Sequence, residues 1–118
     1  MIIMKESHPN IKFFYLYRDA GNYKAFGEVI FSNPDGLPLT EIESKIRASL
    51  IDGEFFDPIK WDIPKLKIEG FDYDPELDHD WMEFEKIDIT KKETTSLSSI
   101  TNFIGGINKI QMLEKYPK

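Results

Sequence analysis

The chain has 118 residues, of which 41% are hydrophobic, 14% aromatic and 31% charged, a composition typical of one globular domain. It contains no cysteine, which excludes disulfide bridges, thiolate zinc sites and a cysteine nucleophile. No run approaches the roughly 18 apolar residues that span a bilayer, and the first apolar run is too short for a signal peptide. We therefore expect a cytoplasmic protein that has no membrane partner.

The net charge of −6 is unevenly distributed. Residues 1–51 carry six acidic and six basic residues, residues 52–90 carry thirteen and four, and residues 91–118 carry two and five. The three segments therefore have charges of 0, −9 and +3, which together give −6. Because phosphate contacts need lysine and arginine, the acidic middle segment speaks against a nucleic-acid partner. It favours a protein partner that has a basic surface.

The first two elements are predicted to form a β-hairpin. Residues 11–18 and 23–31 are rich in β-branched and aromatic side chains, which favour strands. In the loop at residues 19–22, Gly21 can adopt a left-handed conformation, and Asp19 can accept hydrogen bonds from nearby backbone amides. The first strand carries apolar or aromatic side chains on both faces, which predicts a central strand covered on both sides.

A turn and a helix follow the hairpin. The composition of residues 33–36 is typical of a turn. Thr40 and Glu43 have the spacing of a capping box, which predicts a helix over residues 40–51 that is stopped by Gly53. The apolar residues of this segment recur at helical spacing: Leu39, Ile42, Ile46 and Leu50.

The middle of the chain is predicted to be an extended connection. Three prolines interrupt residues 54–80 and exclude a long helix or a central strand at those points. Phe55, Phe56 and Trp61 are expected to pack on the core, and an exposed aromatic patch for a partner is the alternative. Alternation over residues 81–89 then predicts a strand.

A polar linker at residues 90–96 precedes a predicted C-terminal helix at about 97–115. Gly105 and Gly106 fall inside this helix, where each glycine costs about 1 kcal/mol relative to alanine. We therefore expect a bent or two-part helix. It could pack on its own sheet, or it could pair with a second copy of the chain to form a homo-oligomer.

These elements predict an α+β fold in a single domain that spans residues 1–118, with its core at about 11–90. The sheet is antiparallel and based on the hairpin, with three or four strands, one helix after the hairpin and a C-terminal helix. We expect the first helix on one face of the sheet and the C-terminal helix on or near the other.

The sharpest chemical pattern is an acidic turn that contains one histidine. The candidate metal ligands are Asp72, Asp74, Asp78, His79 and Asp80. Carboxylates at alternate positions of an extended chain present oxygen atoms on one side, which hard divalent cations favour. The pattern departs from a calcium loop because Leu77 stands where that loop needs glycine. A divalent cation bound here is one reading of the turn, and a solvated acidic surface is the other.

The hairpin tip offers a second group of candidate residues. Its side chains comprise a cation, a carboxylate, an amide, a phenol and an amine: Arg18, Asp19, Asn22, Tyr23 and Lys24. Loop tips on rigid strands are common recognition surfaces, and tyrosine and arginine are frequent interface anchors. The alternative is a surface Arg18–Asp19 ion pair with little energetic weight. The set of candidate binding residues also includes Asp78, His79, Asp80 and Trp81.

Three phrases carry a resemblance to a known family. YRDAGNYK (17–24), LIDGEFF (50–56) and DHDWMEF (78–84) resemble a set of motifs found in small uncharacterised bacterial proteins. The resemblance covers residues 13–85 and implies a fold shared with that family. It implies no activity, so it assigns no role to any residue.

The sequence favours a non-enzymatic protein-interaction module, such as an inhibitor, an immunity-type factor or an adaptor, that binds a basic partner surface. The carrying observation is the charge of −9 over residues 52–90. Two alternatives remain open. One is a metal-dependent hydrolase or metal-binding protein that uses the acidic turn, and the other is small-ligand binding at the hairpin tip. We assign no catalytic residue.

Overall fold

The computed structural model describes residues 8–68 and 81–115. In chain order the elements are β1 (Asn10–Arg18), β2 (Lys24–Phe31), α1 (Leu39–Ala48), β3 (Phe55–Phe56), β4 (Met82–Thr90) and α2 (Ile100–Lys115). The four strands form one antiparallel sheet in the order β2-β1-β4-β3. The predicted α+β class is therefore confirmed, with one helix after the hairpin and one at the C-terminal end.

Strand β1 lies at the centre of the sheet, as predicted, and pairs with β2 on one side and with β4 on the other. Its register with β4 shifts after Phe14, so that Glu85 is the extra residue of a β-bulge. One face of β1 is fully buried through Ile11, Phe13, Tyr15 and Tyr17. On the opposite face Leu16 is buried and Phe14 is half-buried.

The hairpin loop adopts its tight geometry through Asn22, which has a φ of 67°, and not through Gly21. Asparagine tolerates the left-handed region better than most residues because its short polar side chain bonds locally. The predicted role of Asp19 is confirmed. Its Oδ1 atom accepts the backbone amides of Gly21 and Tyr23, each at 2.9 Å.

Helix α1 begins one residue before the predicted capping threonine. Its N-cap is Pro38, which makes no side-chain capping bond, so the predicted capping box at Thr40 is wrong. Pro38 is extended at φ −65° and ψ 146°, and the first helical turn already contains Thr40. The apolar stripe is confirmed, because Ile42 and Ile46 are completely buried.

Gly53 does not stop this helix, which ends at Ala48. Asp52 and Gly53 both have positive φ, at 52° and 72°. Two consecutive residues of this kind form the tight turn that returns the chain on itself. Backbone bonds between Ile51 and Phe55 close the turn at 2.7 and 2.9 Å. The glycine is therefore required for the approach to β3.

Both helices pack on the same face of the sheet, so the prediction that they cover opposite faces is wrong. Phe103 of α2 stacks on Phe31 with a centroid distance of 4.5 Å and lies 5.7 Å from the ring of Phe13. Arg47 of α1 lies over the ring of Phe84 on the same face. The opposite face carries cross-strand charges, among them the 3.4 Å ion pair of Lys12 with Glu28. A helix there would desolvate those charges.

Helix α2 begins at Ile100, later than predicted, because Ser99 caps it by accepting the amide of Asn102. The helix is continuous through Gly105 and Gly106, so the predicted two-part helix is wrong. Both glycines lie on its exposed side, while the buried side packs on the core. Packing thus outweighs the intrinsic cost of the glycines. Neither helix in the described part of the chain has the length and apolar character to cross a membrane.

Candidate binding site

At the hairpin tip, Arg18 is directed toward β4. Its Nε atom lies 2.8 Å from Oε2 of Glu83, and its Nη1 atom donates to Oδ1 of Asn22. The hydrogen bond and the charge of Glu83 raise the pKa of Arg18. The predicted surface pair of Arg18 with Asp19 is therefore wrong, because Arg18 of β1 pairs with Glu83 on the neighbouring strand β4.

The structure brings the five predicted residues of the tip together. The side chains of Arg18, Asp19 and Asn22 are engaged with one another, with loop amides or with Glu83. Tyr23 and Lys24 are exposed. These bonds hold the loop in shape, and they leave little hydrogen-bonding capacity for a small ligand at Arg18 or Asp19.

The predicted metal ligands of the acidic turn, Asp72 to Asp80, lie outside the described residues, so the metal site stays a prediction. Within residues 8–68 and 81–115, no group of three or more histidine or carboxylate side chains could hold a metal ion. Trp81 directly follows the turn and is described. Its side chain is 40% exposed and its ring centroid lies 6.1 Å from that of Phe55.

Trp81 lines a cavity of about 260 Å³ between the C-terminal end of α1, helix α2 and the segment at residues 51–61. Trp61 forms another wall. The remaining apolar lining comes from Ile51, Phe56, Ile107 and Ile110. Asp57 and Lys60 are the charged residues of the lining. This is an aromatic cavity that has one carboxylate and one ammonium group, and we call it the tryptophan cavity.

Local bonds shape the segment that forms one side of the tryptophan cavity. Oδ1 of Asp57 accepts the amide of Ile59 at 3.0 Å, and the Asp57 carbonyl accepts the amide of Trp61 at 3.0 Å. The Trp61 ring stacks on Phe56 at 4.7 Å, which fixes it against the core. The prediction that Phe56 and Trp61 pack on the core is confirmed, since they are 0% and 6% exposed.

The opposite side of the cavity is held by contacts between the two helices. Gln111 of α2 donates to the Ala48 carbonyl at 2.6 Å, and Ser49 donates to Oδ1 of Asn108 at 3.0 Å. The bond from Gln111 satisfies the carbonyl group of Ala48 at the C-terminal end of α1. Both bonds also fix the position of α2, so that the cavity has walls set by the fold.

The electrostatic surroundings of the cavity are acidic. Residues 52–62 carry four acidic residues and one lysine, and Asp57 is half-buried whereas Lys60 is exposed. A half-buried carboxylate is less screened by water than an exposed ammonium group. The cavity is therefore better suited to a cation than to an anion.

A second cavity of about 190 Å³ also borders Trp61. The two cavities share Lys60, Trp61, Ile107 and Ile110, and the second also borders Asp62 and Gly106. Together they form a groove along α2.

Sequence reasoning placed Trp61 in the core but did not identify Asp57, Lys60 and Gln111 as neighbours of Trp81. The lining comes from three segments far apart in the chain, and no single motif contains it. Comparison of the chain with protein-family models, with curated proteins and with solved structures gives no match.

Proposed function

We propose that this protein is a non-enzymatic protein-interaction module that binds a basic surface of a partner protein. The main support is that half of the residues lining the tryptophan cavity belong to the most acidic segment of the chain, residues 52–90, whose charge is −9. Aromatic side chains with an acidic rim are the features that anchor a basic partner. Inhibitors, immunity-type factors and adaptors all act through such surfaces, in this proposal from the cytoplasm.

The exposed acids of this segment support the proposal. Asp52 and Glu54 lie at the turn before β3, Asp62 lies beside the second cavity, and Glu85 lies in β4. Like charges held on one region create a field that speeds the approach of a cationic partner. Binding through such a field weakens as salt rises, because the Debye length shortens from about 10 Å at 0.1 M to about 3 Å at 1 M.

The small-ligand alternative at the hairpin tip is less favoured, because Arg18, Asp19 and Asn22 already bond within the protein. The metal alternative at the acidic turn remains a separate proposal, tested below by its effect on stability.

A matched pair of charge variants tests the proposal. The first variant neutralises the acidic segment: Asp52→Asn, Glu54→Gln, Asp62→Asn and Glu85→Gln. The control neutralises four acids elsewhere: Glu28→Gln, Glu41→Gln, Glu43→Gln and Glu93→Gln. Each changes the net charge from −6 by four, to −2. Exposed ion pairs such as that of Glu41 with Lys45 contribute little to stability, so the control should fold normally.

The immobilised proteins are compared for what they retain from a lysate at low and at high salt. We expect specific proteins on the wild type and on the control, released by salt, and lost from the first variant. Retention that is equal on all three proteins would contradict the proposal. So would the absence of any retained protein at low salt.

A further inference from the structure

We infer that the tryptophan cavity receives one arginine side chain of the basic partner. This inference rests on the proposed function and names the group that the partner inserts.

The size of the cavity sets the first limit. Pockets that bind small molecules have volumes of roughly 300–1,000 Å³. At about 260 Å³ the tryptophan cavity lies just below that range. It therefore fits a single long side chain better than a cofactor or a metabolite.

The walls of the cavity match the two parts of an arginine side chain. Ile107 and Ile110 offer an apolar surface for its methylene stem. Trp61 and Trp81 offer aromatic rings for its planar guanidinium, which stacks on such rings and is less strongly hydrated than an ammonium group. Lysine has the same stem but lacks the planar group, so arginine is the better occupant.

Asp57 supplies the anionic group. One of its carboxylate oxygens accepts the amide of Ile59, and among the described residues the other makes no hydrogen bond. A guanidinium group binds a carboxylate through charge-assisted bonds of fixed geometry. The exposed Lys60 opposes this attraction, but the four acids of residues 52–62 outnumber it. The charge complementarity favours a cation.

The protein carries its own reporters for the test, since its two tryptophans, Trp61 and Trp81, both line the cavity. Emission of tryptophan is followed at low salt while hexa-arginine, hexa-lysine or hexa-glutamate peptide is added. We expect hexa-arginine to change the emission and to bind about fivefold or more tightly than hexa-lysine. Hexa-glutamate should have no effect.

Three variants connect the effect to the cavity. Asp57→Asn keeps an oxygen for the amide of Ile59 but loses the charge, and it should weaken hexa-arginine binding about fivefold or more. Asp62→Asn removes the same charge from the same segment outside this cavity and should weaken it less than about twofold. Lys60→Gln, an exposed change that leaves the core intact, should strengthen it.

The outcomes separate this inference from the proposed function. Equal binding of hexa-arginine and hexa-lysine, with the same response in Asp57→Asn and Asp62→Asn, would overturn the arginine cavity and leave the acidic binding surface intact. Weaker binding in Lys60→Gln would also overturn it. Failure of both basic peptides to bind, or preference for hexa-glutamate, would overturn the inference together with the proposed function.

Discussion

The hairpin tip and the tryptophan cavity both bring charged and aromatic residues together, yet their polar atoms are used differently. At the tip, Arg18 bonds Glu83 and Asn22, and Asp19 bonds two loop amides. At the cavity, the Asp57 carboxylate accepts one local amide and lines the same open volume as two tryptophans. A dense set of polar residues is therefore not itself a site. What matters is whether their bonding capacity is already engaged by the fold.

The largest effect on stability is expected at Trp61, which lines the cavity and also packs in the hydrophobic core. Trp61→Ala removes a ring that is 6% exposed and stacked on Phe56, and it should lower the free energy of unfolding by about 3–5 kcal/mol. Trp81→Ala, at a 40% exposed position, should cost about 1 kcal/mol or less while it weakens binding. Urea unfolding of both variants measures the difference. An equal loss of unfolding free energy in the two variants would contradict the different burial of Trp61 and Trp81.

At the hairpin tip, Asp19 is expected to have a structural role. Asp19→Ala leaves the amides of Gly21 and Tyr23 without their acceptor and should cost about 1–2 kcal/mol. Asp19→Asn retains an oxygen acceptor and serves as the matched control, with a smaller loss. Neither variant should change binding of the hexa-arginine peptide. An Asp19 variant that loses peptide binding but keeps its stability would show that the hairpin tip binds the peptide, which contradicts its structural role.

The connection that carries Asp57 is tied to the sheet by Tyr15, whose hydroxyl donates to the Pro64 carbonyl at 2.6 Å. Burial raises the pKa of Tyr15 above its ordinary value of 10.0, because the fold favours the neutral phenol. Its contribution to stability is therefore complete below pH 10 and is lost as pH rises through the folded-state pKa. Tyr15→Phe should lose about 1 kcal/mol at neutral pH.

Tyr15→Phe should also fall less steeply in stability at alkaline pH than the wild type does. Unfolding in urea at a series of pH values from neutral to alkaline measures both quantities. An identical alkaline decline in the two proteins would contradict the assignment to Tyr15.

A smaller effect, of opposite sign, is expected at the glycines of α2. A Cβ atom at Gly105 or Gly106 would meet no atom within 4 Å, so each change to alanine should stabilise the protein by about 0.5–1 kcal/mol. Gly53→Ala is the contrast, because its φ of 72° strains alanine and should destabilise the turn before β3. Thermal unfolding compares the three variants. A loss of stability in Gly105→Ala would contradict the free space found around a Cβ atom at this position.

The smallest effect concerns the acidic turn. If the acids serve a partner, then calcium, magnesium, manganese and zinc should each leave the unfolding midpoint where it is in EDTA. A double variant, Asp78→Asn with Asp80→Asn, is the control. A rise in midpoint with one ion that the double variant abolishes would mean that the native state binds metal. That result would favour the metal alternative over the protein-interaction proposal.

Patterns within single segments of the sequence predicted most of the strands and both helices. Strand β4 followed from alternation and both helices from helical spacing, whereas strands β1 and β2 followed from their β-branched and aromatic composition. Strand β3 was missed because two residues, Phe55 and Phe56, are too few to show a period. The capping box at Thr40 failed because Pro38 had already set the start of the helix.

Tertiary arrangement was less accessible from the sequence. The common face of the two helices is the face on which Phe13 packs against Phe103 of α2. The charge of the opposite face becomes evident only from the strand register, which sets Lys12 opposite Ile30 and within 3.4 Å of Glu28 on the diagonal. The tryptophan cavity is lined by Trp61, Trp81 and α2, which come together from positions that span about half the chain. Such contacts leave no local pattern, so the sequence indicated its components but not their assembly.

The comparison between tip and cavity is tested most directly by nuclear magnetic resonance of the labelled protein during addition of the hexa-arginine peptide. Its two tryptophans give two indole N–H signals, one for each aromatic wall. We expect both indole signals and the amides of residues 57–61 to shift, and the amides of residues 18–24 to stay unchanged. Shifts confined to residues 18–24, with both indole signals unchanged, would contradict this expectation.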